Sequence, residues 1–301
     1  MPYEELRADE KLSHEQKREL LEKLEEIGRR EIRGYFDEKT FPRSDSFRSA
    51  MGDREFMARY LLLVAILDQQ AESDSARNTV IRLFTEYNKD FFLNPGNYIK
   101  RLYEVIRLAR STPYRPKSRV LRLKNEGFLL LRIGGYLLAM INIERSHGSL
   151  INYFRTADSP KTLLSLIMND ELLGGLLYEK AARMYVGWIS HPDLWVDVSS
   201  KSWDPASIPM AINGHVTKVL TRAGFLEKVK VESPKSLIVE ADAERKRIER
   251  MVGTIYPEGD RVMMDFGAFY VGISYCYEGE PKCEHCPLRN LCRRNIRFRA
   301  Y

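Results

Sequence analysis

Apolar residues recur along most of the chain at the spacing of amphipathic helices, and the alternation typical of strands is nearly absent. This pattern predicts an all-α fold of short helices packed around one or two cores. The predicted helices cover about residues 13–33, 56–69, 75–87, 97–109, 118–143, 211–223 and 241–255, and a last one runs from about 259 into Cys276.

Breaks in this pattern predict the loops. The polar, aromatic residues 35–49 and the proline-containing residues 112–117 do not continue a helix. Ser159 followed by Pro160 predicts a helix start, with the serine as the cap. Residues 190–209 carry prolines, serines and two tryptophans, which indicates an ordered loop. His191, Trp195 and Trp203 in this loop could stack around a base, or could simply anchor the loop to the core.

The composition is that of a globular protein. Of the 301 residues, 44% are hydrophobic and 30% charged. The most apolar stretch, residues 128–143, is interrupted by Arg132 and two glycines, so we expect no transmembrane helix and no membrane partner. The acidic N-terminus resembles neither a signal nor a transit peptide, and we expect a cytoplasmic protein. A net charge of +6 favours a polyanionic partner, although surface charge also serves solubility or heat resistance.

All four cysteines lie within seventeen residues near the C-terminus, with the spacing C-x6-C-x2-C-x5-C. Thiolates this close in sequence can surround one metal centre without help from the rest of the chain. Structural zinc usually uses two C-x2-C pairs, and here only Cys283 and Cys286 form one. The spacing therefore favours an iron–sulfur cluster, with zinc, disulfides or free thiols as alternatives.

Two further segments join the cysteines. The segment LVAILDQQAESD (residues 63–74) resembles the helix and turn of DNA glycosylases in the helix-hairpin-helix (HhH-GPD) superfamily. The tail, with GISYC (272–276), KCEHCP (282–287) and LC (291–292), resembles the cluster loop of endonuclease III and the adenine-mismatch glycosylases. The resemblance implies a two-domain helical glycosylase fold with a C-terminal [4Fe–4S] cluster. Its ligands would be Cys276, Cys283, Cys286 and Cys292.

We expect a division into three parts, of which the resemblance covers the last two and has no counterpart for the first. Residues 1–55 would be an N-terminal helical extension packed on the cluster domain. Residues 56–172 would form a domain of the six-helix type. Residues 173–301 would carry the hairpin, the active-site helices and the cluster loop.

The middle of the chain is where the catalytic residues would lie. In the family, a hairpin of type L-P-G-x-G holds a DNA phosphate and precedes a catalytic lysine. Here LLGGLLYEKAA (172–182) places Lys180 at that position, with the glycine pair displaced upstream. The segment IPMAINGHVTKV (208–219) resembles the one that carries the catalytic aspartate, and Asn213 occupies that position. The long connector between them resembles that of archaeal 8-oxoguanine glycosylases.

The resemblance also implies DNA contacts. Gln70 would fill the space that a flipped nucleotide leaves, or is an ordinary polar residue at a helix end. His215, Lys218 and Arg222 share one helical face that would approach phosphates, or that is simply solvated. The basic tail would grip the DNA backbone, although Glu278 and Glu280 make the first cysteine gap acidic. That tail comprises Lys282, Arg289, Arg293, Arg294, Arg297 and Arg299.

Asn213 is the main departure from the family, because a carboxamide cannot take the proton that a carboxylate can. Asp193, Asp197 or Asp204 in the connector could supply the missing charge, the chain could have lost catalysis, or an aspartate could have been replaced. The predicted function is a base-excision DNA glycosylase, with lyase activity through Lys180, acting as a monomer on double-stranded DNA with a damaged or mismatched base. The alternatives are a non-catalytic iron–sulfur lesion-binding protein and an enzyme acting on RNA or a modified nucleoside.

Overall fold

The computed structural model describes residues 4–7, 10–69, 71–115, 125–199, 201–233, 238–239, 241–277 and 280–295. Most of these residues are helical, which confirms the predicted all-α class. In chain order the α-helices are α1 (His14–Lys39), α2 (Asp45–Ala50), α3 (Arg54–Asp68), α4 (Ser73–Tyr87), α5 (Asp90–Leu93), α6 (Pro95–Ile99), α7 (Leu102–Ser111), α8 (Asn125–Leu129), α9 (Gly135–His147), α10 (Leu150–Phe154), α11 (Pro160–Asn169), α12 (Leu173–Leu176), α13 (Glu179–Ser190), α14 (Gly214–Ala223), α15 (Ala241–Ile255) and α16 (Arg261–Ser274).

The chain divides into two compact units. The terminal unit comprises Met1–Arg33 and Met210–Tyr301, and the central unit comprises Gly34–Pro209. The boundaries of these units differ from the predicted division at residues 55 and 172. That division refers to domains rather than to contacts within the folded chain, and it stays a prediction.

The core of the central unit is built on α3, in which every residue from Phe56 to Leu67 is buried. A helix that is buried all round needs apolar partners on every side. Aromatic rings from α2, α4 and α5 supply them, with neighbouring ring centroids 5.0 to 6.5 Å apart. The helix begins where the Asp53 carboxylate accepts a hydrogen bond from the backbone N of Phe56 at 3.1 Å.

The terminal unit is organised around α16, which packs closely on two other helices. A Cβ added at Gly272 of α16 would lie 2.7 Å from the Cβ of His215 in α14. A Cβ at Gly28 of α1 would lie 2.6 Å from the carbonyl carbon of Met263 in α16, and one at Gly267 would lie 2.8 Å from the carbonyl carbon of Leu24. Glycine is therefore required at these crossings. Because α16 ends at Ser274, its placement also sets where the cysteine loop begins.

A small antiparallel sheet in the terminal unit was missed by the sequence pattern. Strand β1 (Glu4–Arg7) pairs with β2 (Lys228–Ser233), which pairs with β3 (Ile238–Val239). The four residues of β1 are too few to show alternation, and they pair with residues more than 200 positions away, as in Glu4 with Val231. Pairing over such a distance leaves no local signal.

Several predicted boundaries change in detail. The helix predicted over 97–109 is divided into α6 and α7, and the loop predicted over 35–49 contains the end of α1 and most of α2. The predicted start at Ser159 is confirmed, because its hydroxyl accepts from Thr162 N at 3.2 Å and Pro160 is the first helical residue. Part of the helix predicted over 118–143 lies outside the described residues, since the description of α8 begins at Asn125.

The segment Glu126–His147 comprises most of α8, a π-helical turn (Leu130–Gly134) and α9. By length and composition alone it could cross a membrane, with a mean hydropathy of 1.4 in its most apolar window, of which 56% is buried inside the protein. Buried core helices of globular proteins also have these properties. The expected absence of a membrane span stays a prediction.

Candidate functional site

The cysteine loop is shaped by backbone hydrogen bonds close to each thiol. Cys276 N donates to Val271 O at 2.9 Å, which ends α16, and Lys282 N donates to Tyr275 O at 2.8 Å, which closes the first cysteine gap. Cys283 begins a 3-10 turn that ends where Cys286 N donates to Cys283 O at 3.2 Å. Cys292 N donates to Leu288 O at 2.8 Å. The loop is thus a series of tight turns with one cysteine in or beside each.

All four thiols are free and half-buried, so the disulfide alternative does not apply to this structure. Cys276, Cys286 and Cys292 pack against the hydrophobic core of the terminal unit. Burial raises the pKa of the Cys286 thiol to about 11, and the neighbouring cysteines add to this shift. Burial likewise raises the pKa of Cys292. A thiol in such surroundings stays protonated at neutral pH unless a cation stabilises its thiolate.

Arg222, in the last turn of α14, ties that helix to the cysteine loop. Its guanidinium donates to the Sγ of Cys276 at 3.3 Å and to the carbonyl of Tyr277 at 2.6 Å, and the residue is only 4% exposed. On the other side of the loop, Arg294 N donates to the Sγ of Cys292 at 3.4 Å. Two of the four sulfur atoms therefore accept hydrogen bonds from N–H groups of the chain.

The four thiols form one neighbourhood, since charge on Cys276, Cys283 or Cys292 would affect the pKa of Cys286. Within the described residues, however, no three His, Cys, Asp or Glu side chains are arranged to hold a single metal ion. Four thiols suit zinc or a [4Fe–4S] cluster as ligands. As a donor set, the four free thiols fit such a cluster.

The predicted basic tail is only partly exposed. Arg289 is exposed, and its guanidinium donates weakly to Glu284 O at 3.4 Å. Arg293 is half-buried and donates to the Gln16 side chain of α1 at 2.8 Å. Lys282 is exposed, Arg294 pairs with the Glu284 carboxylate at 3.4 Å, and Glu280 is exposed. Three further predicted residues lie outside the described residues: Glu278, Arg297 and Arg299.

Asn213 is the N-cap of α14. Its side-chain oxygen accepts from the backbone N of His215 at 2.8 Å and of Val216 at 3.1 Å. His215 lies against α16, with its ring 5.7 Å from that of Phe269. Lys218 and Arg222 on the same helix are both buried. The Arg222 guanidinium bonds to the cysteine loop, and its predicted contact with a DNA phosphate stays a prediction.

Residues 170–178, the segment predicted to be the hairpin, connect α11 to α13 in the central unit. Asp170 begins the hairpin, and its carboxylate accepts from Leu172 N at 2.9 Å and Leu173 N at 2.8 Å. The short helix α12 follows. Gly174 allows close packing, because a Cβ there would lie 3.1 Å from the carbonyl carbon of Met168. Gly174, one of the two glycines displaced upstream in the sequence, therefore allows α11 and the hairpin to pack closely.

The buried side chain of Gln69, directly after α3, hydrogen-bonds to the C-terminal end of this hairpin, at Leu176 and Tyr178. Its Nε2 donates to Leu176 O at 2.8 Å and to Ile66 O at 3.2 Å, and its Oε1 accepts from Tyr178 N at 2.6 Å. The guanidinium of Arg132 donates to the same Leu176 carbonyl. The pattern of the sequence did not single out Gln69 for this role. The neighbouring Gln70, which is predicted to fill the space that a flipped nucleotide leaves, lies outside the described residues.

Lys180 is the second residue of α13, directly after the hairpin, and is half-buried. Beside it, the carboxylate of Glu179 pairs with the guanidinium of Arg183 at 2.8 Å. The structure thus gives Lys180 a defined place at a helix N-terminus in the central unit. Asn213 belongs to the terminal unit, and the predicted pairing of these two residues at one site stays a prediction.

In the connector, Trp195 packs on Phe36 and Phe41, with ring centroids 4.3 and 5.3 Å apart. His191 is fully buried, and its Nδ1 accepts from Asp193 N at 3.1 Å. These contacts match the anchoring role that the sequence left open for the aromatic residues. Trp203 is half-buried.

The connector's other carboxylates bond to nearby groups. The Asp204 carboxylate accepts from Ala206 N at 2.9 Å. The carboxylate of Asp197 accepts from the Ser199 hydroxyl at 2.5 Å. Both are therefore engaged in shaping the connector.

Neither a protein-family model nor a curated protein matches the sequence. Solved structures do match the fold. A non-covalent endonuclease III–DNA complex is similar with a TM-score of 0.52 over 94% of this chain and 97% of that chain, at 18% identity. A trapped endonuclease III–DNA covalent intermediate, an estranged-adenine complex, is similar with a TM-score of 0.51 over the same shares, also at 18% identity. The chain therefore has the helical endonuclease III-like fold, whereas the resemblance of its connector to archaeal enzymes stays a prediction.

Proposed function

We propose that the chain is a base-excision DNA glycosylase with lyase activity, acting as a cytoplasmic, nucleoid-associated monomer. It would flip a damaged or mismatched base out of double-stranded DNA, because a base inside the duplex cannot be reached by a catalytic group. The observation that carries the proposal is the structural similarity to an endonuclease III–DNA complex, which extends over 97% of that endonuclease III chain. A lysine directly after the hairpin and the C-terminal cysteine loop agree with it.

Lys180 is the proposed nucleophile. Its amine nitrogen would bond to C1′ of the flipped nucleotide while the glycosidic bond breaks, and the departing base would take the bonding electrons and a proton. Loss of protons from the nitrogen and opening of the sugar would give a Schiff base, from which the 3′ phosphate can be eliminated. The position of Lys180 in the first turn of α13, directly after the hairpin, supports this role.

The four cysteines are the proposed ligands of a [4Fe–4S] cluster. When bound, the cluster would supply four fixed points that hold the loop in one shape. The chain itself would contribute the residues that surround the cluster. Arg222 and Arg294 N donate to cysteine sulfur atoms, and Leu288 and the core behind it exclude water from one side. The exposed Arg289 on this loop is proposed to contact a DNA phosphate.

Asn213 supports a second candidate, a lesion-binding protein without catalysis. Its side-chain oxygen caps α14, and its amide cannot act as a proton acceptor. An aspartate could make the same cap through a carboxylate oxygen. Replacing Asn213 by Asp should therefore leave the fold intact and change only the chemistry available at this position.

The test uses a set of duplexes, each with one damaged or mismatched base. Release of free base is measured, and parallel samples are reduced with borohydride to trap the Schiff base. We expect an adduct with at least one duplex, and Lys180→Ala should abolish it. Lys161→Ala is the matched control, because Lys161 is also the second residue of a helix beside the hairpin and is exposed.

Asn213→Asp is tested on the same duplexes. If Asn213 limits the reaction, base release should rise by roughly 10²- to 10⁴-fold, the usual contribution of a positioned acid–base group. Absence of base release from every duplex by both this chain and Asn213→Asp would defeat the catalytic proposal. Salt-dependent DNA binding in that case would establish the second candidate.

A further inference from the structure

One aromatic side chain at the hairpin is not explained by the fold. Tyr178 is the N-cap residue of α13, two residues before Lys180, and 54% of it is exposed. Large hydrophobic residues this exposed are few among the described residues, and this one lies at the tip of the hairpin that would meet DNA. Its ring is a flat, exposed surface on the residue two positions before the proposed nucleophile.

Two contacts fix Tyr178, one through its backbone N–H and one through its ring. Its backbone N–H donates to the buried Gln69 side chain at 2.6 Å. The guanidinium of Arg132 lies 5.5 Å from the centre of its ring and 5.2 Å from that of Phe128. Arg132 is only 4% exposed and also donates to Leu176 O. One face of the tyrosine is thus supported by a buried cation.

The same contacts change what the hairpin can offer to DNA. In the resembled family, backbone N–H groups of the hairpin hold a phosphate. Here the N–H of Tyr178 is already used by Gln69, and the N–H of Leu177 donates to Leu173 O at 2.9 Å. Two successive donors at the tip therefore already have partners within the protein. What the tip presents outward is the aromatic ring.

We propose that Tyr178 is a stacking residue, which binds the face of an unpaired nucleobase next to the flipped nucleotide. This inference rests on the proposed function for its substrate, double-stranded DNA with a disturbed base pair. Stacking on an aromatic ring accepts any base, because every base has a π-face. A ring that is already fixed by Gln69 and Arg132 loses little conformational freedom when a base stacks on it.

The experiment measures binding without cleavage. Duplexes carry a tetrahydrofuran abasic analogue, which offers no base to remove, opposite or beside a fluorescent 2-aminopurine. Fluorescence anisotropy gives the dissociation constant, and quenching of 2-aminopurine reports stacking. The variants are Tyr178→Ala, Tyr178→Phe and Tyr103→Ala. Tyr103 is the matched control, since it is a tyrosine of the same unit and is 74% exposed.

We expect Tyr178→Ala to weaken binding by roughly 5- to 100-fold, the range for one stacked base, and to abolish the quenching. Tyr178→Phe should keep both within about twofold, because the ring suffices. The dependence of binding on salt should be unchanged, since no phosphate contact is lost. Tyr103→Ala should bind as the unaltered protein does.

Equal binding and quenching by Tyr178→Ala and Tyr103→Ala would overturn the inference. So would a loss in Tyr178→Phe as large as in Tyr178→Ala together with a smaller salt slope, since the hydroxyl would then contact a phosphate. Absence of DNA binding by the unaltered protein would defeat both this inference and the proposed function. Binding that depends on Tyr178 without release of base from any lesion would leave the stacking role standing and remove only the enzymatic proposal.

Discussion

The crossing of α1 and α16 allows a prediction with an internal control. Gly28→Ala in α1 would place a methyl group 2.6 Å from the carbonyl carbon of Met263, and nearer still to its oxygen. Backbone atoms cannot rotate away as a side chain can, so the two helices must separate, by an amount on the order of 1 Å. A gap of that size loses a quarter to a half of each affected dispersion contact.

The magnitude follows from two opposing effects. Overpacking of a tight core costs about 1–3 kcal/mol, and a clash with backbone belongs at the upper end. Alanine is about 1 kcal/mol better than glycine inside a helix, which offsets part of this. We expect Gly28→Ala to destabilise the protein by about 2 kcal/mol. For a chain of this size that lowers the Tm by roughly 4 °C.

Gly34→Ala is the control, since it makes the same substitution in the same helix. A Cβ at Gly34 would meet no atom within 4 Å among the described residues. Only the helix preference remains, so the variant should gain about 0.5–1 kcal/mol. Thermal unfolding followed by circular dichroism measures both. Equal effects of the two substitutions, or a Gly28→Ala variant as stable as the unaltered protein, would refute the close crossing.

Three further outcomes are expected. Gln69→Glu should destabilise the protein by about 1–3 kcal/mol in urea unfolding, because a carboxylate cannot donate to the Leu176 and Ile66 carbonyls. A Gln69→Glu variant as stable as the unaltered protein would contradict this. Metal-free protein should lose stability as the pH rises from about 9 towards 11. Burial raises the pKa of Cys286 from 9.0 to about 11, so in this range the thiol stays protonated in the folded state and ionises in the unfolded state. A free energy of unfolding that does not change over this pH range would contradict the prediction. Cys292→Ser should lower the iron and sulfide content of purified protein, whereas stoichiometric zinc in the unaltered protein would contradict the cluster.

Much of the fold could be predicted because helices carry local signals. The cap at Ser159 and Pro160 is a short-range feature, and it is found where the sequence places it. The burial of α3 follows from its nearly continuous run of apolar residues up to Leu67. The cysteine spacing likewise lies within seventeen residues and needs no knowledge of the remaining chain.

What could not be predicted depends on contacts between distant parts of the sequence. The hydrogen bond from Tyr178 N to Gln69 joins residues 109 positions apart, and the bond from Arg222 to Cys276 joins residues 54 apart. Nothing in the periodicity of either segment indicates such partners. For the same reason the sequence does not indicate that the Arg222 guanidinium bonds to Cys276 and Tyr277; the phosphate contact predicted for Arg222 comes from the family resemblance.

The central claim is that Lys180 forms a covalent bond with C1′ of the target nucleotide. Mass mapping of peptides from the borohydride-reduced protein–DNA adduct tests it most directly. We expect the added mass of the reduced sugar fragment on Lys180 itself. Attachment at another residue, or no adduct with any lesion for this chain and for Asn213→Asp, would contradict the account.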